Sequence, residues 1–113
     1  MNVTIIQGRP VQDPIMKTGR ESGKVFCLIR IASDRPYRGR KYPKKTDYFD
    51  VIAFGKLGQA MYNNLAKGAL CTVLGRLEYE TYVDKYGDKR CKYNIIANNI
   101  TIHEWLRKRR PLE

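Results

Sequence analysis

Only one segment of this chain has the residue spacing of an amphipathic helix, and strand-like segments lie on both sides of it. Over residues 56–67, apolar side chains recur at the three- and four-residue intervals that share one face of a helix. These side chains are Leu57, Ala60, Met61 and Leu65. Gly68 stands just past the segment, where glycine commonly caps a helix. We therefore predict a single helix whose apolar face packs against the core.

Five segments have the alternation or the apolar runs of β-strands. They cover residues 2–7, 24–33, 47–54, 69–83 and 90–102. Gly8, Pro10 and Asp13-Pro14 should break or bend the first strand, and a turn centred on Gly87 should join the last two. A turn is also predicted over residues 17–23. The resulting order, β-β-β-α-β-β, is that of an all-β OB-fold, a five-stranded Greek-key barrel with one α-helix between strands 3 and 4.

The net charge of the chain indicates the chemical class of its binding partner. Lys and Arg total 22 against 11 Asp and Glu, which gives a formal net charge of +11 in 113 residues. Such an excess in one domain indicates a polyanion, either nucleic acid or anionic lipid. Lipid is disfavoured, because no segment approaches the ~20 apolar residues that span a membrane.

The first residues lack the pattern of a secretory signal, which predicts a cytoplasmic protein. Buried thiols are expected at the widely spaced Cys27, Cys71 and Cys91.

The loop between the second and third predicted strands, residues 34–46, combines cations with aromatic rings, and we call it the basic loop. It contains no acidic residue between Arg35 and Lys45. Its cations are Arg35, Arg38, Arg40, Lys41, Lys44 and Lys45, and its rings are Tyr37 and Tyr42. Cations that follow a phosphate backbone, beside rings that stack on bases, are typical of proteins that hold single-stranded nucleic acid. A solvated loop beside core aromatics is the alternative, which the repetition of this combination on other strands disfavours.

Several short motifs follow one another along residues 2–102. They are Gly8-Arg9, Asp13-Pro14, Ile29-x-Ile31-Ala32, Asp47-Tyr48-x-x-Val51-x-Ala53-Phe54-Gly55-Lys56-Leu57, Lys67-Gly68, Gly75-Arg76-Leu77 and Ala97-Asn98-Asn99-Ile100. In this order they resemble the bacterial single-stranded-DNA-binding protein family. The resemblance implies a homotetramer, a dimer of dimers, that coats single-stranded DNA with little sequence preference during replication, recombination or repair. It also implies a location on the nucleoid.

By this resemblance, bases stack on four aromatic side chains. They are Tyr37, Tyr48, Phe54 and Tyr82. Because Tyr48 and Phe54 are six residues apart, strand alternation places both rings on one face. Further tyrosines leave base stacking and cross-strand packing equally open. These are Tyr42, Tyr79, Tyr86 and Tyr93.

Cations near these rings are the expected contacts to phosphate. The predicted set is Arg30, Arg38, Arg40, Lys41, Lys44, Lys45, Lys56, Arg76, Lys89 and Arg90. Lys56 stands at the start of the predicted helix, where the positive end of the helix dipole disfavours a cation. A bound phosphate would account for a lysine at that place.

No pattern in the sequence indicates catalysis, a metal site or a cofactor. His103, the only histidine, has no serine or cysteine partner in a recognisable motif. Gly19-x-x-x-Gly23-Lys24-Val25 is one residue too short for a phosphate loop and lacks its hydroxyl. We therefore expect a binding protein that is not an enzyme and has no cofactor. The alternatives are a primosome or recombination adaptor, an RNA-binding OB-fold module, and an OB-fold subunit of an enzyme.

We predict an OB-fold domain over residues 1–104 and a short basic extension over residues 105–113. Family members usually continue into a flexible tail, whose acidic and hydrophobic end recruits replication and repair proteins. This sequence instead ends in Arg107-Lys108-Arg109-Arg110-Pro111-Leu112-Glu113. Recruitment through a tail is therefore not carried over from the resemblance. A short natural member and a shortened chain are both consistent with this end.

Overall fold

The computed structural model describes residues 1–19 and 22–106, and strands make up most of them. The strands are β1 (Thr4–Pro10), β2 (Ile15–Thr18), β3 (Val25–Asp34), β4 (Thr46–Phe54), β5 (Cys71–Val83) and β6 (Lys89–Ile102), and helix α1 (Gly55–Asn64) follows β4. Within the described residues, α1 is the one helix, and it separates the first four strands from the last two. The predicted all-β class and the position of the helix are confirmed.

The strands close into a ring in the order β1-β5-β6-β4-β3, and β3 pairs back with β1. Long antiparallel ladders join β1 to β5, β5 to β6 and β3 to β4. The β1–β3 pairing has only Arg9 opposite Ala32 and Pro10 opposite Ile31. The parallel β4–β6 pairing has only Val51 opposite Ile95 and Ile52 opposite Ile96. The ring is therefore two well-paired sheets joined along two short seams, which is the closed barrel of an OB-fold.

The first predicted strand was too short, and a strand after it was missed. β1 continues through Gly8 to Pro10, and β2 then pairs antiparallel with β3, so that Lys17 and Thr18 lie in a strand where a turn was predicted. Proline has no N–H to donate. The pairing with β3 is carried instead by the next amide, Val11 N, which donates to Arg30 O at 2.9 Å. The chain bends at Val11 and Gln12, and Asp13-Pro14, which was predicted to break or bend the first strand, lies between the end of β1 and the start of β2.

Helix α1 ends earlier than the periodicity predicted. Its last residue is Asn64, because Leu65 takes an extended conformation and, with Ala66, enters the core. Gly68 is not the helix cap. It has a φ of +83° and follows a turn in which Ala69 N donates to Ala66 O. Ala60 is exposed, and Met61 is the buried apolar residue of the helix itself.

The barrel interior consists of alternate residues from β1, β3, β4 and β5 and of the consecutive residues 94–97 of β6, and α1 and the segment after it pack against it. The fully buried side chains include Cys27, Ile29, Ile31, Val51, Met61, Leu65, Cys71, Val73 and Ile95. Cys27 and Cys71 are buried as predicted, and burial raises the pKa of the Cys71 thiol to about 11. Cys91 is exposed, which contradicts the prediction, because its part of the β5–β6 hairpin extends beyond the core.

Gly8 allows β1 and β3 to approach closely where the ring closes. A Cβ at residue 8 would lie 2.3 Å from the backbone oxygen of Ala32, so Gly8→Ala must push the two strands apart. We expect a loss of about 1–3 kcal/mol in the free energy of unfolding, measured by urea denaturation. Lys67→Ala, at an exposed loop position, should change it by less than about 0.5 kcal/mol. Equal stability of the two variants would contradict this role for Gly8.

Candidate nucleic-acid interface

The outward side chains of β3 and β4 form one continuous surface, which we call the outer face. Inward residues of both strands fill the core, so their neighbours along the chain point outward. The cross-strand pairs on this face are Phe26 with Phe54, Leu28 with Ile52, Arg30 with Asp50 and Ala32 with Tyr48. Tyr48 and Phe54 therefore share a face, as their six-residue spacing predicted. Neither ring is sealed inside the barrel, with exposed fractions of 55% and 44%.

Contacts on the outer face hold its rings in place while leaving them open to a ligand. The Phe26 ring lies 5.9 Å from the Phe54 ring, at an interplanar angle of 56°. The Arg30 guanidinium lies 5.1 Å from the centre of the Tyr48 ring, within range of a cation–π interaction. Phe26 was not among the predicted site residues. The alternation that placed Cys27 inside the barrel could have identified it.

An open groove of about 470 Å³ runs from the outer face to the β5–β6 hairpin. Phe26, Phe54 and Tyr79 supply its rings, and Lys17 and Lys92 supply its cations. Three predicted stacking residues lie outside this groove: Tyr37, Tyr48 and Tyr82. The predicted rings thus occupy several places along the surface rather than a single pocket.

The hairpin tyrosines pair across its two strands. Tyr79 and Tyr93 lie directly opposite each other, with ring centres 5.2 Å apart in an edge-on arrangement. A hydrogen bond with the Cys91 thiol raises the pKa of Tyr79. Tyr82 is 42% exposed, and Lys92 Nζ lies 5.5 Å from its ring. Cross-strand packing is thus present at Tyr79 and Tyr93, and Tyr79 also lines the groove.

The basic loop is tied at its base, where Arg35 N donates to Lys45 O at 2.9 Å. The Arg35 guanidinium also pairs with Asp47 at 3.0 Å. Their hydrogen bond raises the pKa of Arg35 and lowers that of Asp47. Above this base, Tyr37 and Tyr42 line a pocket of about 200 Å³ with the loop prolines and cations. Tyr37 is 74% exposed, so the loop presents its ring to solvent.

The predicted cations differ in how their charge is compensated. Among the residues that the structure describes, the exposed loop cations Arg38, Arg40, Lys41, Lys44 and Lys45 form no ion pair. Arg76 pairs with Glu78 at 2.5 Å, and Arg90 pairs with Asp84 at 2.9 Å. Arg30 lies opposite Asp50 in the sheet. The uncompensated charge is therefore concentrated in the basic loop.

Two further cations on the predicted path are exposed. Lys56 lies in the first turn of α1, where no side chain caps the helix and no acidic residue is present. Lys89 begins β6 beside the hairpin turn. In that turn, hydrogen bonds from Arg90 and from the backbone of Asp88 lower the pKa of Asp84. Arg90 thus stabilises the turn in addition to its predicted role.

The histidine has a partner across the strands, and the described residues form no metal site. His103 Nε2 lies 2.8 Å from Thr72 Oγ1. Within residues 1–19 and 22–106, no group of three or more His, Cys, Asp or Glu side chains is arranged to hold a metal ion. No helix in the described part of the chain is long and apolar enough to cross a membrane.

A closed barrel with exposed rings on one sheet face and an uncompensated basic loop beside them defines an OB-fold protein with a surface suited to single-stranded nucleic acid. Comparison with known proteins agrees with this class. The chain belongs to the single-strand binding protein family, whose model matches residues 1–103. The family resemblance seen in the sequence motifs is confirmed.

Several bacterial relatives resemble nearly all of this chain. Single-stranded DNA-binding protein 2 of Clostridium acetobutylicum is 30% identical over 105 residues, which cover 93% of this chain and 78% of that protein. A single-stranded DNA-binding protein of Fusobacterium nucleatum is 32% identical over 106 residues, covering 92% of this chain and 68% of the relative. One of Clostridium tetani is 27% identical, with 93% and 72% covered.

Proposed function

We propose that this protein binds single-stranded DNA with little sequence preference, and that it protects the strand and keeps it unpaired during replication, recombination or repair. The observation that carries the proposal is the exposure of Tyr48 and Phe54 on one sheet face, next to the basic loop. Stacking on aromatic rings accepts any base, because every base has a π-face. The family membership and the printed names of the relatives support the same function.

The proposed path starts at the basic loop and follows the outer face to the groove. Cations of the loop contact phosphates, while Tyr37, Tyr48 and Phe54 stack on bases. Tyr82, Arg76, Lys89 and Arg90 extend the path along the hairpin. Arg76 and Arg90 must share their charge with Glu78 and Asp84, so we expect them to add less affinity than the loop cations. One barrel would cover about 4–16 nucleotides.

We further propose a binding protein without catalytic activity that acts as a homotetramer on the nucleoid. Exposed apolar residues on β1 and β5 support assembly, since Ile5 lies opposite Leu74 on the outside of the barrel and Val3 is exposed beside them. Apolar patches of this kind commonly mark interfaces between proteins. The proposed domain covers residues 1–104. Most of the proposed basic extension, residues 107–113, lies outside the described residues.

The function is tested by titrating the protein with oligo-dT while its mass in solution is measured. We expect fluorescence quenching at Trp105 or the exposed tyrosines, binding that weakens as salt is added, and the mass of a tetramer. The slope of log affinity against log salt should be about −0.7 per neutralised phosphate. A matched ribo-oligomer serves as the competitor. Failure of oligo-dT to bind in dilute buffer would overturn the proposal, and preference for the ribo-oligomer would favour the RNA-binding alternative.

A further inference from the structure

The two tyrosines of the basic loop have no partner for their side chains. Tyr37 and Tyr42 are 74% and 58% exposed, and among the described residues neither ring contacts another ring or a cation and neither hydroxyl forms a hydrogen bond. The exposed tyrosines of the sheet and of the hairpin each have a ring or a cation beside them: Tyr48, Tyr79, Tyr82, Tyr86 and Tyr93. Cross-strand packing, which the sequence left open for Tyr42, therefore does not account for it.

Both rings line the pocket of the basic loop, which we call the loop pocket. Each ring adjoins a proline that also lines it, in Pro36-Tyr37 on one limb of the loop and in Tyr42-Pro43 on the other. The limbs are joined at their base, where Arg35 N donates to Lys45 O at 2.9 Å. Proline restricts the backbone, so less conformational freedom is lost when a ligand binds. The loop pocket is thus partly formed before a ligand arrives.

The loop pocket adds charge to its rings. Arg38, Lys44 and Lys45 line it and form no ion pair within the described part of the chain. The fourth lining cation, Arg35, is already paired with Asp47. Pockets for drug-sized ligands have volumes of roughly 300–1,000 Å³. At about 200 Å³, the loop pocket suits a single ring system that carries an anionic group.

A nucleotide supplies both parts, because a base stacks on aromatic rings and a phosphate accepts hydrogen bonds from cations. The state of the phosphate matters for the charge. A terminal phosphate monoester carries close to two negative charges at neutral pH, whereas each phosphodiester link carries one. Three unpaired cations around one small pocket therefore match a nucleotide with a terminal phosphate better than a link in the middle of a strand.

We propose that the loop pocket binds a nucleoside monophosphate. Its base lies against Tyr37 and Tyr42, and its phosphate lies against the three unpaired cations. The phosphorylated end of a strand and a free nucleotide share this chemistry. The inference rests on the proposed function, because the basic loop begins the proposed path, and it adds a preference for one end group. It also makes Tyr42, which that path does not include, a binding residue.

The strand end is tested with thymidine tetranucleotides that carry a 5′-phosphate, a 3′-phosphate or hydroxyls at both ends. Such short strands suit one barrel, which covers about 4–16 nucleotides. Mildly alkaline buffer of low salt keeps the terminal phosphate doubly charged and weakly screened. We expect at least one phosphorylated tetranucleotide to bind about 3- to 10-fold more tightly than the hydroxyl form, the effect of one or two ion pairs at an exposed site.

The free nucleotide is tested with thymidine monophosphate, followed through the NMR signals of the tyrosine rings. We expect it to shift the ring signals of Tyr37 and Tyr42 at concentrations at which thymidine alone and inorganic phosphate alone do not. Shifted signals without an end preference would identify a free nucleotide as the ligand. An end preference without shifted signals would identify the strand end. Both results support the proposed chemistry of the loop pocket.

Two tyrosine variants separate the loop pocket from general attraction to phosphate. Tyr42→Ala should bring the affinity ratio of phosphorylated to hydroxyl tetranucleotide close to one, because the terminal nucleotide loses one of its two rings. Tyr86→Ala is the matched control, since Tyr86 is equally exposed and lies 5.1 Å from Lys85 Nζ but does not line the loop pocket. It should keep the ratio of the parent. A thermal melt verifies the fold of both variants.

The inference and the proposed function fail in different ways. A parent ratio near one, together with unshifted ring signals, would overturn the inference while oligo-dT binding stands. A ratio that Tyr42→Ala leaves unchanged would overturn it as well, because the phosphate would then act by charge alone. Failure of every strand to bind, long oligo-dT included, would overturn the proposed function instead.

Discussion

Replacing Tyr48 and Phe54 together by alanine should weaken oligo-dT binding by at least about 2 kcal/mol, since each stacked base contributes roughly 1–3 kcal/mol. Each single variant should lose more than about 1 kcal/mol. Both rings are about half exposed, and they point away from the buried residues of β4. Their removal should therefore reduce affinity without unfolding the barrel. Fluorescence or calorimetric titration measures the affinity, and a thermal melt checks the fold.

Two further alanine variants, at Phe26 and at Tyr62, test whether the loss of affinity comes from the rings of the outer face. Because Phe26 contacts Phe54, it can keep part of the stacking surface when Phe54 is lost. We therefore expect Phe26→Ala and Phe54→Ala to be non-additive. Tyr62 is an exposed tyrosine on α1 rather than on the outer face, and Tyr62→Ala should bind like the parent. If Tyr48→Ala and Phe54→Ala also bind like the parent, the stacking assignment is wrong.

Neutralising the basic loop should reduce the salt dependence of binding more than any other set of substitutions. The five loop cations that form no ion pair would be changed to glutamine: Arg38, Arg40, Lys41, Lys44 and Lys45. Each phosphate contact contributes about −0.7 to the slope of log affinity against log salt, so the slope should become shallower by about 3 to 4 if every cation makes one contact. The measurement is a series of oligo-dT titrations at increasing salt.

A single charge elsewhere provides the comparison for the loop variant. Lys67 is exposed in the segment after α1, away from the outer face, and Lys67→Gln should leave the slope nearly unchanged. Arg35 is not included in the loop variant, because its pairing with Asp47 holds the base of the loop. A loop variant that keeps the slope of the parent would mean that these cations are only solvated.

Periodicity predicted the parts of this fold that depend on one strand or helix at a time. Alternation predicted the strand over residues 24–33, in which Cys27, Ile29 and Ile31 face inward, and the spacing of Tyr48 and Phe54 predicted that the two rings share a face. Strand β2 was missed because its pairing with β3 depends on how the chain turns between β1 and β2. The end of α1 was missed because Leu65 is drawn into the core by tertiary packing, which overrides local helical spacing.

The types of residue at the candidate site could be predicted from the sequence, whereas most contacts between their side chains could not. The cations and rings of the basic loop are visible in the sequence, since they are close together along the chain. The ion pairs of Arg76 and Arg90, and the meeting of Glu80 with Asn94, depend on the register of β5 with β6 and on the twist of the hairpin. Neither is encoded in the spacing within a single strand, so these pairings could not be foreseen.

The two short seams of the barrel have a mechanical consequence. Ladders within each sheet are long, whereas the backbone pairing of β4 with β6 is limited to Val51–Ile95 and Ile52–Ile96. The groove lies across this boundary, with Phe54 on one sheet and Glu80 on the other. The two sides of the groove are thus joined by few backbone hydrogen bonds, so we expect its width to adapt to a larger or smaller base with little change within either ladder.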